Sequence, residues 1–231
     1  MRAGESPGVI LEFVQVVKPY GQFAAFLLAG GFSSRMGREK GLLEIAGQPL
    51  ILRTAGLIEP LVCEVTVVGS PERYATLGLR AVADRKFDNC VGNEPVRTPL
   101  AGIATALTAT KSPWNLILAC DLPYLTAEWL DWLLARAAAS GAQVVMPRTS
   151  GGLEPLAAAY RKECAAPIVD AIERGVRKVT DALTELRMEQ LPESDWEKHD
   201  PQGRVLRNMN TLPDYQEARK FLETKALQKL K

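Results

Sequence analysis

Between residues 23 and 150 short apolar runs alternate with segments of helical spacing. "FAAFLLA" (23–29), "CEVTVVG" (63–69), "LRAVAD" (79–84), "NLILACD" (115–121) and "AQVVM" (142–146) are short and apolar or β-branched, the pattern of buried strands. Helices are predicted between them. "PLILRTAGLI" (49–58) and "PERYATL" (71–77) each open on proline, whose fixed φ suits the first helical position. "PLAGIATALTA" (99–109) is a third helix. In "TAEWLDWLLARAAAS" (126–140), Thr126 is placed to cap the helix, and Trp129, Leu130, Leu133 and Leu134 share one face.

This alternation predicts an α/β fold: a doubly wound, mostly parallel sheet with helices on both faces, three layers in all. In such sheets ligands gather at the carboxyl ends of the strands. After residue 150 the pattern is less regular. "EPLAAAY" (154–160) and "VLRNMN" (205–210) are expected as strands, and 163–186 as helix interrupted at Gly175. Residues 193–204 read as a polar loop. The segment from Pro213 reads as a charged amphipathic helix with Tyr215, Ala218 and Leu222 at helical spacing. Residues 21–231 are expected to form one domain. Residues 1–20 read as an arm whose run "VILEFVQVV" suits an edge strand, an upstream stretch included by a misplaced start codon, or a disordered tail.

Composition narrows the function classes. A hydrophobic fraction of 47% with 24% charged residues is that of an ordinary globular protein. The net charge of +1 gives no global pull toward nucleic acid or an anionic membrane, so any attraction for phosphate is local. No run approaches the ~18 apolar residues of a membrane span, and no signal peptide is evident. The cysteines, Cys63, Cys90, Cys120 and Cys164, form no C-x-x-C pair, and His199 is remote from all of them, which argues against a zinc or redox site. Cys63 and Cys120 are expected as small core residues, and a reducing cytoplasm is the expected location. His199 is expected to be solvated.

The candidate chemistry starts at "LLAGGFSSRMGREKG" (27–41), where glycines sit beside Arg35, Arg38 and Lys40. Bare backbone N–H groups can approach anionic oxygens closely, Arg35 adds a planar fork of donors, and Lys40 adds a point charge. The loop matches neither G-x-x-x-x-G-K-[ST] nor G-x-G-x-x-G, but the physics of phosphate binding is shared. Asp121, in "ACDLPYL" (119–125), is either a turn-capping residue or a hard-cation ligand. With a phosphate loop on the same sheet edge, the metal reading is favoured, because Mg²⁺ takes one or two carboxylates plus substrate phosphate oxygens. Asp84 is either an ordinary strand-end acid or a ribose or metal contact. "TPLAG" (98–102) offers a small-residue helix start against which a base or sugar can lie.

Taken together, "LAGGFSSRMGREK" (28–40) resembles the L-A-G-G-x-x-x-R-M-G-x-x-K signature of nucleotidyltransferases, with the same spacing. Further landmarks, "GLLEIAGQPLI", "PLAGI", "CDLPYL", "EPLAAAY", "VRKVTDAL" and "NMNTLPDY", follow in order, and the likeness is greatest to the molybdenum cofactor guanylyltransferases. That resemblance implies a Rossmann-like nucleotidyltransferase fold and transfer of GMP from GTP to molybdopterin with Mg²⁺ as cofactor. It implies that Leu28, Ala29 and Gly30 contact guanine and ribose through backbone. Gly31, Arg35 and Lys40 would hold the triphosphate, Asp84 would contact the nucleotide, and Asp121 would bind Mg²⁺ and the nucleotide phosphates. Arg35, Lys40 and Asp121 are thus the expected catalytic residues. The implied partners are GTP, molybdopterin and molybdoenzyme maturation proteins. Two other readings stay open: a CTP-dependent cofactor or sugar-1-phosphate nucleotidyltransferase of the same fold, and a non-catalytic nucleotide-binding carrier.

Overall fold

A computed structural model of the chain describes residues 18–29, 39–87 and 98–229. The glycine-loop residues Gly30, Gly31 and Arg35, and the arm up to residue 17, lie outside the described residues. The first half runs β1 (Tyr20–Leu28), β2 (Glu44–Ile45), β3 (Gln48–Pro49), α1 (Leu50–Ile58), β4 (Val62–Val68), α2 (Pro71–Ala75), β5 (Ala81–Val82), α3 (Pro99–Ala109) and β6 (Trp114–Ala119). The second runs α4 (Ala127–Ala139), β7 (Val144–Thr149), β8 (Gly152–Leu153), β9 (Ala157–Arg161), α5 (Ala165–Glu173), α6 (Val179–Ala182), β10 (Met188–Pro192), α7 (Glu193–Trp196) and α8 (Leu212–Lys229).

The main sheet has the order β10-β7-β9-β6-β1-β4-β5, with β8 hydrogen-bonded to β7. β1 is an interior strand, parallel to both β4 and β6, and β9 is antiparallel to β6 and β7. The period of two along β1 explains the layers. Phe23, Ala25 and Leu27 face a core shared with α1, α4 and α7, whereas Ala24 and Phe26 face one shared with α3, α5 and α6. The expected three-layer, mostly parallel α/β architecture is the one observed. Thr126 caps α4 by accepting from Trp129 N at 3.2 Å, and Trp129, Leu130, Leu133 and Leu134 are all buried as their spacing predicts.

A third, smaller core joins Ile45 and Leu50 to Tyr124, Met209, Ala218 and Leu222. It seats α8 over the β2–β3 hairpin and brings the segment before α8 to the carboxyl end of β6, where Met209 N donates to Asp121 O at 2.9 Å.

Four expectations need correction. "VLRNMN" (205–210) is not a strand: its backbone groups go elsewhere, Val205 N to Asp200 Oδ2 and Met209 N to Asp121 O. The last strand is instead β10, which pairs in parallel with β7 at the sheet edge. The polar stretch 193–204 contains α7 and a 3-10 turn, and its His199 is not solvated: it stacks on Trp132 with ring centroids 5.6 Å apart. Cys63 is exposed rather than a core residue, because its side of β4 is not covered there.

Candidate functional site

Every parallel strand of the sheet points its carboxyl end at the same edge, and the candidate residues collect there. β1 ends at Leu28, and Ala29 follows with its N–H bonded to Val68 O of β4 at 3.0 Å. On the other flank Cys120 N, just past β6, donates to Leu28 O at 3.3 Å. The chain re-enters the described structure at Glu39 and turns through a single 3-10 turn, Lys40–Leu42. Gly41 is buried in that turn, where a Cβ would stand 3.4 Å from Cys120 Cβ and 3.5 Å from Ile51 Cβ. The small residue lets the turn lie against the strand end.

Lys40 is thereby aimed across the end of β6. Its Nζ donates to Asp121 Oδ2 at 2.8 Å and to Asn210 Oδ1 at 2.6 Å. The Lys40 and Asp121 side chains are only 15% and 18% exposed. The other carboxylate oxygen, Asp121 Oδ1, is buried with no hydrogen-bond partner among the described residues. A buried unpaired carboxylate oxygen costs free energy unless a ligand supplies the missing contact. One cation already sits on two oxygens here, and a third oxygen beside them is unsatisfied. Hard oxygen donors of this kind suit a divalent ion that completes its shell with nucleotide phosphates. Among the described residues no cluster of three or more His, Cys, Asp or Glu side chains stands ready to hold a metal, so such an ion would depend on substrate oxygens.

Both neighbours of Lys40 in this arrangement are locked from behind. Asn210 precedes a reciprocal cap on α8. Asp214 Oδ2 accepts from Thr211 N and Thr211 Oγ1, each at 2.8 Å, and from Asn210 N at 3.1 Å, while Asp214 N donates to Thr211 Oγ1 at 3.3 Å. These donors hold the Asp214 carboxyl below the usual carboxylate range, the Thr211 hydroxyl contributing most. On the other side Glu39 is gripped by the Tyr74 hydroxyl and the Arg73 guanidinium. Tyr74 in turn is boxed in by Gly69, where a Cβ would fall 2.9 Å from its ring. Cys120, between these groups, is not a candidate nucleophile: burial first, then the Asp121 and Glu39 carboxylates, push its thiol up to about 12.

Leu28, Ala29, Lys40 and Asp121 are therefore gathered at one point. Asp84 lies on the same edge but farther out: it is exposed, just beyond β5, on a segment anchored to α3 by Arg85 N donating to Thr105 Oγ1 at 3.0 Å. Thr98 caps α3 by accepting from Ala101 N at 3.2 Å, and Gly102 lets α3 close on β1, since a Cβ there would come within 3.2 Å of Leu28 Cδ1. The sequence reading missed Asn210 and the Glu39–Tyr74 contact. The T-x-x-D cap signal in "NMNTLPDY" marks where α8 begins and so could have pointed to Asn210. Nothing local to residue 39 signals a bond to residue 74.

Residues 25–188 match the family described as MobA-like NTP transferase domain. The chain belongs to that family. A molybdenum cofactor guanylyltransferase of Pseudomonas aeruginosa is 37% identical over 166 residues, which are 71% of this chain and 80% of the relative. A probable molybdenum cofactor guanylyltransferase of Synechococcus elongatus is 35% identical over 200 residues, 84% of this chain and 96% of the relative. Among solved structures, the molybdopterin-guanine dinucleotide biosynthesis protein A of Archaeoglobus fulgidus superposes with a TM-score of 0.72 at 24% identity, covering 87% of this chain and 99% of its own. As a MobA-like chain, this protein is a nucleotidyltransferase. CMP:2-keto-3-deoxy-manno-octonic acid synthetase shares the fold at a TM-score of 0.60 and 12% identity, so the fold by itself does not choose the base. Among the described residues no helix is long and apolar enough to cross a membrane.

Proposed function

We propose that this chain transfers GMP from GTP to the terminal phosphate of molybdopterin, releasing pyrophosphate. One observation carries the chemistry: the Lys40 ammonium seated on Asp121 and Asn210 beside an unpartnered Asp121 oxygen. Such a site accommodates positive charge, and it is built from Ala29 and Lys40, described residues on either side of the glycine-rich stretch in the sequence. The names of the sequence relatives support the choice of guanine and of the cofactor acceptor.

In this reading Leu28, Ala29 and Gly30 present backbone groups to guanine and ribose, and Gly31, Arg35 and Lys40 hold the triphosphate. Asp84 contacts the nucleotide. Asp121, helped by Asn210, would hold a divalent ion, Mg²⁺ here, which would neutralise phosphate charge. The acceptor phosphate monoester is already an anion at neutral pH, so no general base is assigned. Its oxygen attacks the α-phosphorus in line; the new P–O bond forms as the bond to the β-phosphate oxygen breaks, and pyrophosphate departs with that electron pair. The protein's part is positioning and charge stabilisation, with Lys40 and Arg35 assigned to stabilise the charge that builds on the departing pyrophosphate. Among the described residues, the exposed Cys63, the half-buried Cys120 and the buried Cys164 are all free thiols, which fits a cytoplasmic enzyme. The test is product analysis: GTP, Mg²⁺ and molybdopterin should yield the guanine dinucleotide and pyrophosphate, and absence of both products refutes the proposal.

A further inference from the structure

The sheet edge that carries Asp121 also carries a carboxylate on its other side. β9 runs antiparallel to β6, so the residues just before it lie beyond the carboxyl end of β6: Leu118 pairs with Ala157, and Ala119 N donates to Leu156 O at 2.8 Å. Two residues earlier is Glu154, whose N–H donates to Pro147 O of β7 at 3.0 Å. Glu154 and Asp121 thus leave the same edge within one or two strand spacings, on the order of 5–10 Å. Glu154 is half-buried, and among the described residues no Lys or Arg side chain pairs with it. Its side-chain contact is with Thr149, whose Oγ1 donates to Glu154 Oε1 at 3.0 Å. Burial raises the Glu154 carboxyl above its usual range, against the opposing effect of that hydrogen bond. A carboxylate withdrawn from water without a cation marks a place where a ligand can bring donors.

We propose that Glu154 recognises the pterin ring of the acceptor, its carboxylate accepting from the ring N–H and the adjacent exocyclic amino group. This rests on the guanylyltransferase reading. The 2-amino-4-oxopyrimidine edge of a pterin presents two neighbouring N–H donors, the pattern that a carboxylate matches as it does a guanidinium. Guanine presents the same edge, so the side of the site decides. The glycine loop follows β1, and Asp84 lies past β5, on the β4 flank; Glu154 lies on the opposite flank, over β9 and β7. A nucleotide held between Ala29, at the end of β1, and Asp84, past β5, leaves the Glu154 side to the acceptor, with the Asp121 end of β6 between the two.

The variant Glu154→Gln keeps the shape and removes the charge. With Mg²⁺ and saturating GTP, its KM for molybdopterin should rise about 10- to 100-fold, the scale of hydrogen bonds to a charged group. The kcat and the KM for GTP should stay within about twofold, a split that a merely structural role would not produce. Thr149→Val, which frees the carboxylate from its anchor, should raise the molybdopterin KM in the same direction and carries the test if Glu154→Gln does not fold. An unchanged molybdopterin KM overturns the proposal, as does a rise confined to the KM for GTP. A wild-type protein that forms no dinucleotide overturns the guanylyltransferase reading itself, and is told apart by the wild-type arm alone.

Discussion

Asp121→Asn retains the side-chain shape at the end of β6 and removes its charge. At 2.8 Å, the Lys40–Asp121 attraction is about 6 kcal/mol gross with an effective dielectric of about 20. Most of this is offset by the desolvation of two side chains that are 15% and 18% exposed. Breaking a fully buried pair costs about 3–5 kcal/mol and an exposed one about 0–1, so this partly solvated pair should contribute about 1–3. Asn210 remains as a partner for Lys40, which places the loss toward the lower end. For a chain of this size each kcal/mol moves Tm by about 2–4 °C, so unfolding should shift down by several degrees. A double-mutant cycle of Asp121→Asn with Lys40→Met, read by denaturant unfolding without ligands, should give a coupling of about 1–3 kcal/mol. The same two substitutions should each lower kcat on the order of 10²–10³-fold, and Asp121→Asn should abolish the dependence on Mg²⁺. A coupling below about 0.5 kcal/mol, or near-normal turnover in either variant, refutes the reasoning that this pair organises the site.

Other outcomes follow from the groups around that pair and from the cysteines. Tyr74→Phe removes the hydroxyl that holds Glu39 and should cost about 1 kcal/mol in chemical denaturation with a severalfold loss of kcat, whereas Gly69→Ala, which drives a Cβ into the same ring, should cost about 1–3 kcal/mol. The Asp214 carboxyl has a lowered folded-state pKa, so its contribution to stability is complete above the unfolded carboxylate range near ~4 and disappears as pH falls through the lower folded value. The stability gap between wild type and Asp214→Asn should therefore be constant above about pH 5 and close below about pH 4 in acid titrations of unfolding; a gap that widens on acidification contradicts the sign. Cys120 and Cys164 are both pushed up to about 12 by burial, so alkylation of the native protein at pH 7.5, mapped by mass spectrometry, should label the exposed Cys63 well before either.

Much of this was legible in the sequence where burial imposes a period. The run around Phe26 is apolar on both faces because β1 is an interior strand covered twice, and the α4 stripe from Trp129 to Leu134 is buried as its spacing requires. The cap at Thr126 and the placement of Asp121 at a strand end also follow from local signals. β10 was not legible, since an edge strand pairing only with β7 buries just Leu191 and shows no alternation. The β2–β3 hairpin was hidden for another reason: its turn residues are Ala46 and Gly47, with φ of 51° and 81°, and alanine is a poor signal for a left-handed position. The apolar residues of "VLRNMN" serve the cores around the site rather than the sheet. Lys40 and Asp121 could be proposed separately, but their meeting at Asn210 depends on α8 folding back across the β2–β3 hairpin, a contact between residues 170 positions apart.

Guanylyl transfer to a pterin phosphate is the chemistry to be tested. The most direct measurement is pyrophosphate release with molybdopterin and Mg²⁺, supplied in turn with GTP, CTP, UTP, ATP and dTTP, with the dinucleotide identified by mass. GTP should give release and a guanine dinucleotide, and both should be lost in Lys40→Ala. Release with CTP in place of GTP contradicts the assignment of the base, and nucleotide binding without pyrophosphate release from any triphosphate contradicts catalysis altogether.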